Sequence, residues 1–425
     1  MKEIQLNSID NRYTKLTNVL KNDMKLDELK FDLYYSFPID VYSIDYGFIK
    51  LANGSFKQVY VATSKPEDYR QLTVFISEDG ITWYDISCDN IASTMYNKVI
   101  IYCGNVYICY DDTVVCLYDF ELNENQSSMS VTPIKDDAQD ITVANNVMYM
   151  LAHDGVYTVD AENNVEFISL TADFPFERFI PSTTGELAIL GYAGNYPMFL
   201  LYDGQSHLVF CTTPCTVTTA IVSKDQIFCY TRDAKVISVY KTFEMDKASY
   251  MVFSGHEWCG EVTYFHSHFW LSYVEHENEE TYTLVAKSPN GVDFTPDTKI
   301  PHTTEHDGIA TWNYANTYCV CAGQLFTLIA SINYFKYGES VINKYTKVDI
   351  NDDYTVSIPI EDKIDNINKC HMNVYICDEE GYITNKDVRF DIIPHIVGDN
   401  IEFKLRANDY SDRYVYLVLD YTASV

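Results

Sequence analysis

Along most of the chain, apolar and polar positions alternate in short runs separated by turn residues, the period-two pattern of strands with one face buried. In NKVIIYCGNVYICYDDTVVCLYDFE, residues 97–121, the alternation breaks at Gly104-Asn105 and at Asp111-Asp112 and predicts three strands. In DITVANNVMYMLAHDGVYTVDAENNVEFISL, residues 140–170, it breaks at Asn145-Asn146, Asp154-Gly155 and Asn163-Asn164 and predicts four. One turn recurs. Ser77, Asp79, Gly80, Thr82 and Trp83 form one copy; Ser288, Asn290, Gly291, Asp293 and Phe294 form a second. Ala161, Asn163, Asn164 and Phe167 form a decayed third in which Asn164 stands for the glycine, since Asn tolerates the left-handed conformation better than other residues with a Cβ. Asp79 and Asn163 are 84 residues apart, two units of 42, and Asn163 and Asn290 are 127 apart, three units of about 42. Weaker turns at Asn123–Asn125, Asp203-Gly204, Met245–Lys247 and Tyr337-Gly338 fill the gaps at roughly the same interval.

A period near 40 with about four strands per unit predicts an all-β fold, a β-propeller of seven blades over residues 42–350, with six or eight also compatible. Two or three β-sandwiches with coincidental turns are the competing architecture. Closure of the ring is expected from a strand within 40–60 pairing with one near 340–350, which removes exposed edges. The ends break the rhythm. Residues 1–41 read as a helical arm, with Ile9, Tyr13, Leu16 and Leu20 at helical spacing on one stripe that needs a cover. Residues 351–425 read as a small antiparallel, sandwich-like β domain with turns at Glu380-Gly381 and Gly398–Asn400.

Composition narrows the function classes. Thirty-six Tyr and 22 Phe suit pleated surfaces and exclude disorder. A formal charge of -31 repels phosphate backbones, so nucleic acid is not an expected partner. No apolar run reaches the roughly 20 residues of a membrane-spanning helix, and the polar start MKEIQLNSID lacks the apolar core of a secretory signal, so the sequence reads as a soluble protein made in the cytoplasm. In that setting the 12 scattered Cys are expected to be reduced and buried as small hydrophobes, without the paired spacing of a zinc ribbon.

The recurring turn resembles the Asp-box of sialidases and related propellers, Ser/Thr-x-Asp-x-Gly-x-Thr/Ser-Trp/Phe. Ser77, Asp79, Gly80, Thr82 and Trp83 match it with one residue fewer between acid and glycine, and Ser288, Asn290, Gly291 and Phe294 match the shortened form more loosely. The resemblance implies a structural turn joining the outer strands of a blade, away from any catalytic face. The acid or Asn accepts backbone hydrogens, Gly takes the positive φ and the aromatic packs between sheets. Sialidase chemistry would also need an arginine cluster, and only Arg70, Arg178 and Arg232 fall within the repeat region. Among the acids no carboxylate pair stands out for another glycosidase mechanism. His256, Cys259, His266 and His268 lie close in sequence but read as surface and loop residues, and Cys319 with Cys321 reads as inter-blade filling. Catalytic, cofactor and metal residues are therefore all expected to be none.

The final strand, running to Asp420 and Tyr421, resembles the closing strand of many bacteriophage virion proteins, and the bias toward Asn, Ile, Tyr, Asp and Lys fits an AT-rich genome. That resemblance implies a non-enzymatic virion protein, tail-associated, acting in host adsorption or tail architecture. Its expected partners are other virion proteins, further copies of itself and a host cell-surface glycan, for which surface Tyr is well suited. A propeller glycosidase acting on host polysaccharide and a cytoplasmic propeller scaffold are the alternatives.

Overall fold

The computed structural model describes residues 31–36, 41–64, 71–78, 83–92, 97–122, 127–170, 174–231, 235–241, 247–251, 258–265, 268–277, 280–301, 317–321, 324–329, 333–337, 343–359, 371–379, 383–385, 388–406 and 414–420. Every regular element among them is a β-strand. The helical arm expected over Ile9–Leu20 lies outside the described residues.

Seven four-stranded antiparallel sheets are built by the described residues between 31 and 337, and we number them as blades 1 to 7. Blade 1 is Val41–Lys50, Phe56–Ser64, Gln71–Ser77 and Trp83–Ala92, paired in chain order. Blades 2 to 6 repeat that meander over 97–136, 138–168, 176–210, 217–251 and 258–301. First strands of successive blades lie side by side, and Thr317–Cys321 of blade 7 returns to lie against Val41–Lys50. The chain is thus a closed β-propeller, an architecture that leaves only short outer edges.

Closure differs from the expectation. The fourth strand of blade 7 is Phe31–Ser36, which pairs antiparallel with Asn333–Tyr337 so that Phe31 faces Tyr337. Val41–Lys50 is fully used inside blade 1 against Phe56–Ser64, and Asn343–Asp349 pairs with Tyr414–Asp420 instead of with the ring. The propeller therefore begins at 31, within the stretch assigned to the arm, and its last strand ends at 337.

The core lies in layers between blades, because successive residues of each strand face opposite neighbours. Val106 and Ile108 pack with Val61 and Ile76 of blade 1, while Tyr107 and Cys109 between them pack with Ile141 and Met150 of blade 3. Similar layers join blade 3 to 4 through Leu151 and Leu200, 4 to 5 through Phe199 and Cys229, and 5 to 6 through Phe228 and Leu271. Cys109, Cys116, Cys211 and Cys229 are buried free thiols in these layers, as small hydrophobes would be.

Residues 343–420 form two facing sheets, Asn343–Asp349, Tyr414–Asp420, His371–Cys377 and Ile383–Asn385 opposite Thr355–Pro359, Asn400–Leu405 and Phe390–Val397. Their shared core of Val356, Ile376, Phe403 and Val415 takes in Phe48 of blade 1. Phe48 meets Phe390 edge to face with centroids 5.7 Å apart, a ring pair worth about 0.5–1.5 kcal/mol beyond the burial of each ring. Arg406 bonds Asp391 at 3.1 Å and reaches the Gly54 carbonyl at 3.3 Å, fixing this sandwich to the first hairpin of blade 1.

Candidate functional site

Two faces of the propeller follow from the meander. On one, which we call the turn face, first strands hand over to second and third to fourth. On the other, the loop face, second strands hand over to third and each blade to the next. The recurring turns all fall between third and fourth strands: Ser77 to Trp83 in blade 1, Asp160 to Val165 in blade 3 and Ser288 to Thr295 in blade 6. The weaker turn at 203–204 occupies the same place in blade 4; 123–125 lie outside the described residues.

The blade 6 copy shows the chemistry completely. Asn290 Oδ1 accepts the backbone N–H of Val292 at 3.0 Å and of Asp293 at 2.9 Å, and Ser288 Oγ, itself buried, accepts that of Gly291 at 3.0 Å. Gly291 takes φ +76, and Phe294 packs on Tyr230 of blade 5 with centroids 5.7 Å apart. Tyr230 in turn donates its hydroxyl to the Gly291 carbonyl at 3.0 Å. Blade 3 uses the same device one residue earlier. Asp160 Oδ1 accepts from Glu162 N at 2.9 Å and Asn164 N at 2.8 Å, the positive φ of +65 falls on Asn163, and Tyr107 of blade 2 donates to Asn163 Oδ1 at 2.5 Å. Asn164 therefore does not stand for the glycine; Asn163 does. Phe167 is 52% exposed and rests on Tyr157 of its own blade instead of between sheets. The side-chain amide of Asn164 holds the Asp160 carboxyl below its usual range, while burial pushes the Tyr107 phenol up and the neighbouring Cys116 thiol up to about 12. In blade 1, Ser77 is buried and Trp83 packs 6.4 Å from Tyr60; Asp79, Gly80 and Thr82 lie outside the described residues. The blade 6 and blade 3 turns staple those blades to their predecessors through Tyr230 and Tyr107, whereas Trp83 meets a ring of its own blade.

A second set of contacts, not legible in the sequence, joins the first strands around the axis. Bulges at the start of these strands turn Ser43, Asp140, Arg178 and Thr219 toward the next blade. Ser43 Oγ accepts Val99 N at 3.0 Å, Asp45 Oδ2 accepts Ile101 N at 2.8 Å, Asp140 Oδ2 accepts Phe179 N at 2.8 Å and Thr219 Oγ1 accepts Val262 N at 3.3 Å. Lys98 reaches Asp140 from blade 2 at 2.8 Å, and Arg178 donates to the carbonyls of Val217 and Thr218 at 3.1 and 2.7 Å. Arg178, one of three arginines a sialidase-like site would require, is thus committed to holding blades 4 and 5 together. Arg70 and Arg232 lie outside the described residues, as do His256 and His266. Among the described residues no three His, Cys, Asp or Glu side chains gather as metal ligands.

The loop face is chemically uneven. At blades 2 and 3 it carries Asp111, Asp112, Asp137 and Asp154, with Gln139 Nε2 2.6 Å from His153 Nδ1. Asp154 accepts the Tyr157 hydroxyl at 2.6 Å, which holds its carboxyl low, and Lys135 lies over the Tyr157 ring at 4.2 Å. At blade 4 the same face exposes Ala193, Gly194, Asn195 and Tyr196, with Phe210 45% exposed beside them.

No family model matches the sequence, and no curated protein does. Solved structures overlap with it as folds. A streptogramin B lyase matches 74% of this chain and 99% of its own at 10% identity and a TM-score of 0.43. YCF48 bound to D1 peptide matches 72% and 96% at 12% identity and 0.48, and the WD40 propeller domain of Doa1 matches 73% and 98% at 9% and 0.45.

Proposed function

We propose that this chain is a non-enzymatic propeller of a bacteriophage virion, tail-associated, which is held in the assembly by its turn face and presents its loop face outward. The observation that carries the reading is that, among the described residues, both chain connections and the docked sandwich lie on one side of the ring. Phe31 enters opposite Tyr337, from which the chain leaves for the C-terminal sandwich, and that sandwich docks through Phe48, Gly54 and Arg406 on the same turn face. An anchored propeller with one free face suits adsorption or tail architecture better than turnover. The commitment of Arg178 to backbone carbonyls and of the motif turns to blade stapling supports a non-catalytic role. The likeness of the final strand to virion proteins supplies the setting, with other virion proteins and further copies of this chain as partners.

Mass spectrometry and antibody labelling of purified particles from the organism that encodes the chain test the reading. Stoichiometric presence on the tail supports it. Absence from particles, or turnover of a glycan panel by the purified chain, overturns it.

A further inference from the structure

Phe167 departs from the aromatic of its turn motif elsewhere. In blade 6, Phe294 is half-buried against Tyr230 of the preceding blade, whereas Phe167 is the most exposed large apolar side chain among the described residues. Its ring stands edge to face with Tyr157, centroids 5.2 Å apart, and Gly155 makes room for it, since a Cβ there would lie 2.6 Å from the Phe167 ring. A single exposed ring needs no explanation by itself. This one borders a bound cation.

Lys135, near the end of the fourth strand of blade 2, lays its side chain across the blade boundary until only 19% of it is exposed, and its ammonium sits 4.2 Å from the centroid of the Tyr157 ring. Asp154 Oδ1 is 3.8 Å from that ammonium, beyond hydrogen-bond distance, so ring and charge hold it and donated hydrogens do not. Asp154 Oδ2 accepts the Tyr157 hydroxyl at 2.6 Å, a bond that fixes the ring and keeps the carboxyl ionised. More negative charge lies around this part of the loop face. Asp111, Asp112, Asp136 and Asp137 are all exposed, and their connections are drawn together by bonds from Ala138 N to the Asp112 carbonyl at 2.9 Å and from His153 N to the Asp137 carbonyl at 3.2 Å.

We infer that Tyr157, with Asp154 and the exposed Phe167 ring beside it, forms a site for a quaternary ammonium group, in which the Lys135 ammonium is a displaceable resident. Aromatic rings with a carboxylate are the elements of a cage for such cations. The bonding selects the occupant. A primary ammonium is compact and strongly hydrated and gives up that water for hydrogen-bond acceptors, yet Asp154 stands too far from the resident ammonium to serve as one. A quaternary ammonium has no N–H to satisfy and binds through ring faces and the surrounding field. The carboxylates, on a chain of net charge -31, draw in a cation and repel an anion. Displacing Lys135 costs little, because ion pairs and ring contacts of a cation at the surface are weak. The site stands on this geometry whether or not the chain belongs to a particle.

The full chain is titrated with choline in a calorimeter, with dimethylbutanol, the neutral carbon isostere of choline, and magnesium as counter-probes. Choline is expected to bind and the isostere is not. Lys135→Ala, which empties the place on the ring, should tighten choline binding about two- to five-fold, and Phe167→Ala should weaken it by about as much. Asp154→Asn, which keeps an acceptor for the Tyr157 hydroxyl, should also weaken it. Phe167 and Asp154 are exposed, so both variants are expected to melt where the wild type does. No choline binding by the wild type and by Lys135→Ala overturns the inference. So does equal binding of the isostere, displacement of choline by an equal concentration of magnesium, or binding that survives both Phe167→Ala and Asp154→Asn. A Lys135→Ala variant that melts lower with unchanged choline affinity also overturns it, since Lys135 would then be a structural contact alone. Phosphatidylcholine vesicles show where the group is carried. Choline binding without vesicle association supports the site with a soluble ligand, and binding of both supports it with a lipid head group.

Discussion

At the scale of single residues, the ring is held by groups whose value comes from what they meet in the next blade. Asp45 is 1% exposed and its two oxygens accept Tyr46 N and Ile101 N at 2.7 and 2.8 Å. Asp45→Ala strands two buried donors, and a loss of about 2–5 kcal/mol is expected in urea denaturation, most of it restored by Asp45→Asn, which keeps one acceptor. Gly291 combines φ +76 with a Cβ position 2.6 Å from Phe228, while Gly204 has φ +110 and open space. Gly291→Ala should therefore cost about 2–4 kcal/mol and Gly204→Ala only about 1–2 kcal/mol; equal losses would contradict the stapling role. Burial pushes the Cys109 and Cys116 thiols from 9.0 up to about 12, so the folded state holds these protons longer than the unfolded chain. Their contribution is full below about pH 9 and is lost as pH rises toward about 12. A Cys109→Ala/Cys116→Ala variant should lose less stability than the wild type between about pH 8 and about pH 10.5, each measured against its own value at the lower pH. Local chemistry of this kind was partly legible. Ser288, Asn290 and Gly291 satisfy one another within a few residues, so the sequence displays them. The blade 3 copy is out of phase by one because Asp160, not Ala161, takes the place of the serine. Asp45 and Asp140 look like ordinary strand acids until a bulge turns them toward a neighbour.

At the scale of elements, alternation and turn chemistry gave strand positions closely, because each strand's two faces enter two different inter-blade layers. The breaks at Asn145-Asn146 and Asp111-Asp112 are two-residue turns with both φ positive, 47 and 59 in the first and 40 and 58 in the second, the geometry that matches strand twist. Closure was misplaced for a physical reason. A strand's partner is set by three-dimensional return of the chain, and the Phe31–Ser36 stretch FDLYYS carries alternation too short to mark its sheet. Removing residues 1–36 should leave Asn333–Tyr337 as an open edge. The truncated chain is expected to melt lower and to be cleaved faster by protease in blade 7 than in blades 2 to 4. Unchanged melting and cleavage would show that the strand does not close the ring.

At the scale of the whole molecule, the attachments to the propeller that the described residues make lie on one side of it. Among the described residues, the C-terminal sandwich shares Phe48 with blade 1 and both chain connections sit on the turn face. The runs 187–202 and 208–222 carry no charge in the sequence, but only the strand order shows that their connections lie side by side. The most direct test is cryo-electron microscopy of particles from the organism that encodes the chain. The account predicts propeller density on the tail, with the C-terminal sandwich and the turn face against neighbouring subunits and Tyr196 toward solvent. Density with the loop face buried against a neighbour, or no density in the particle at all, would contradict it.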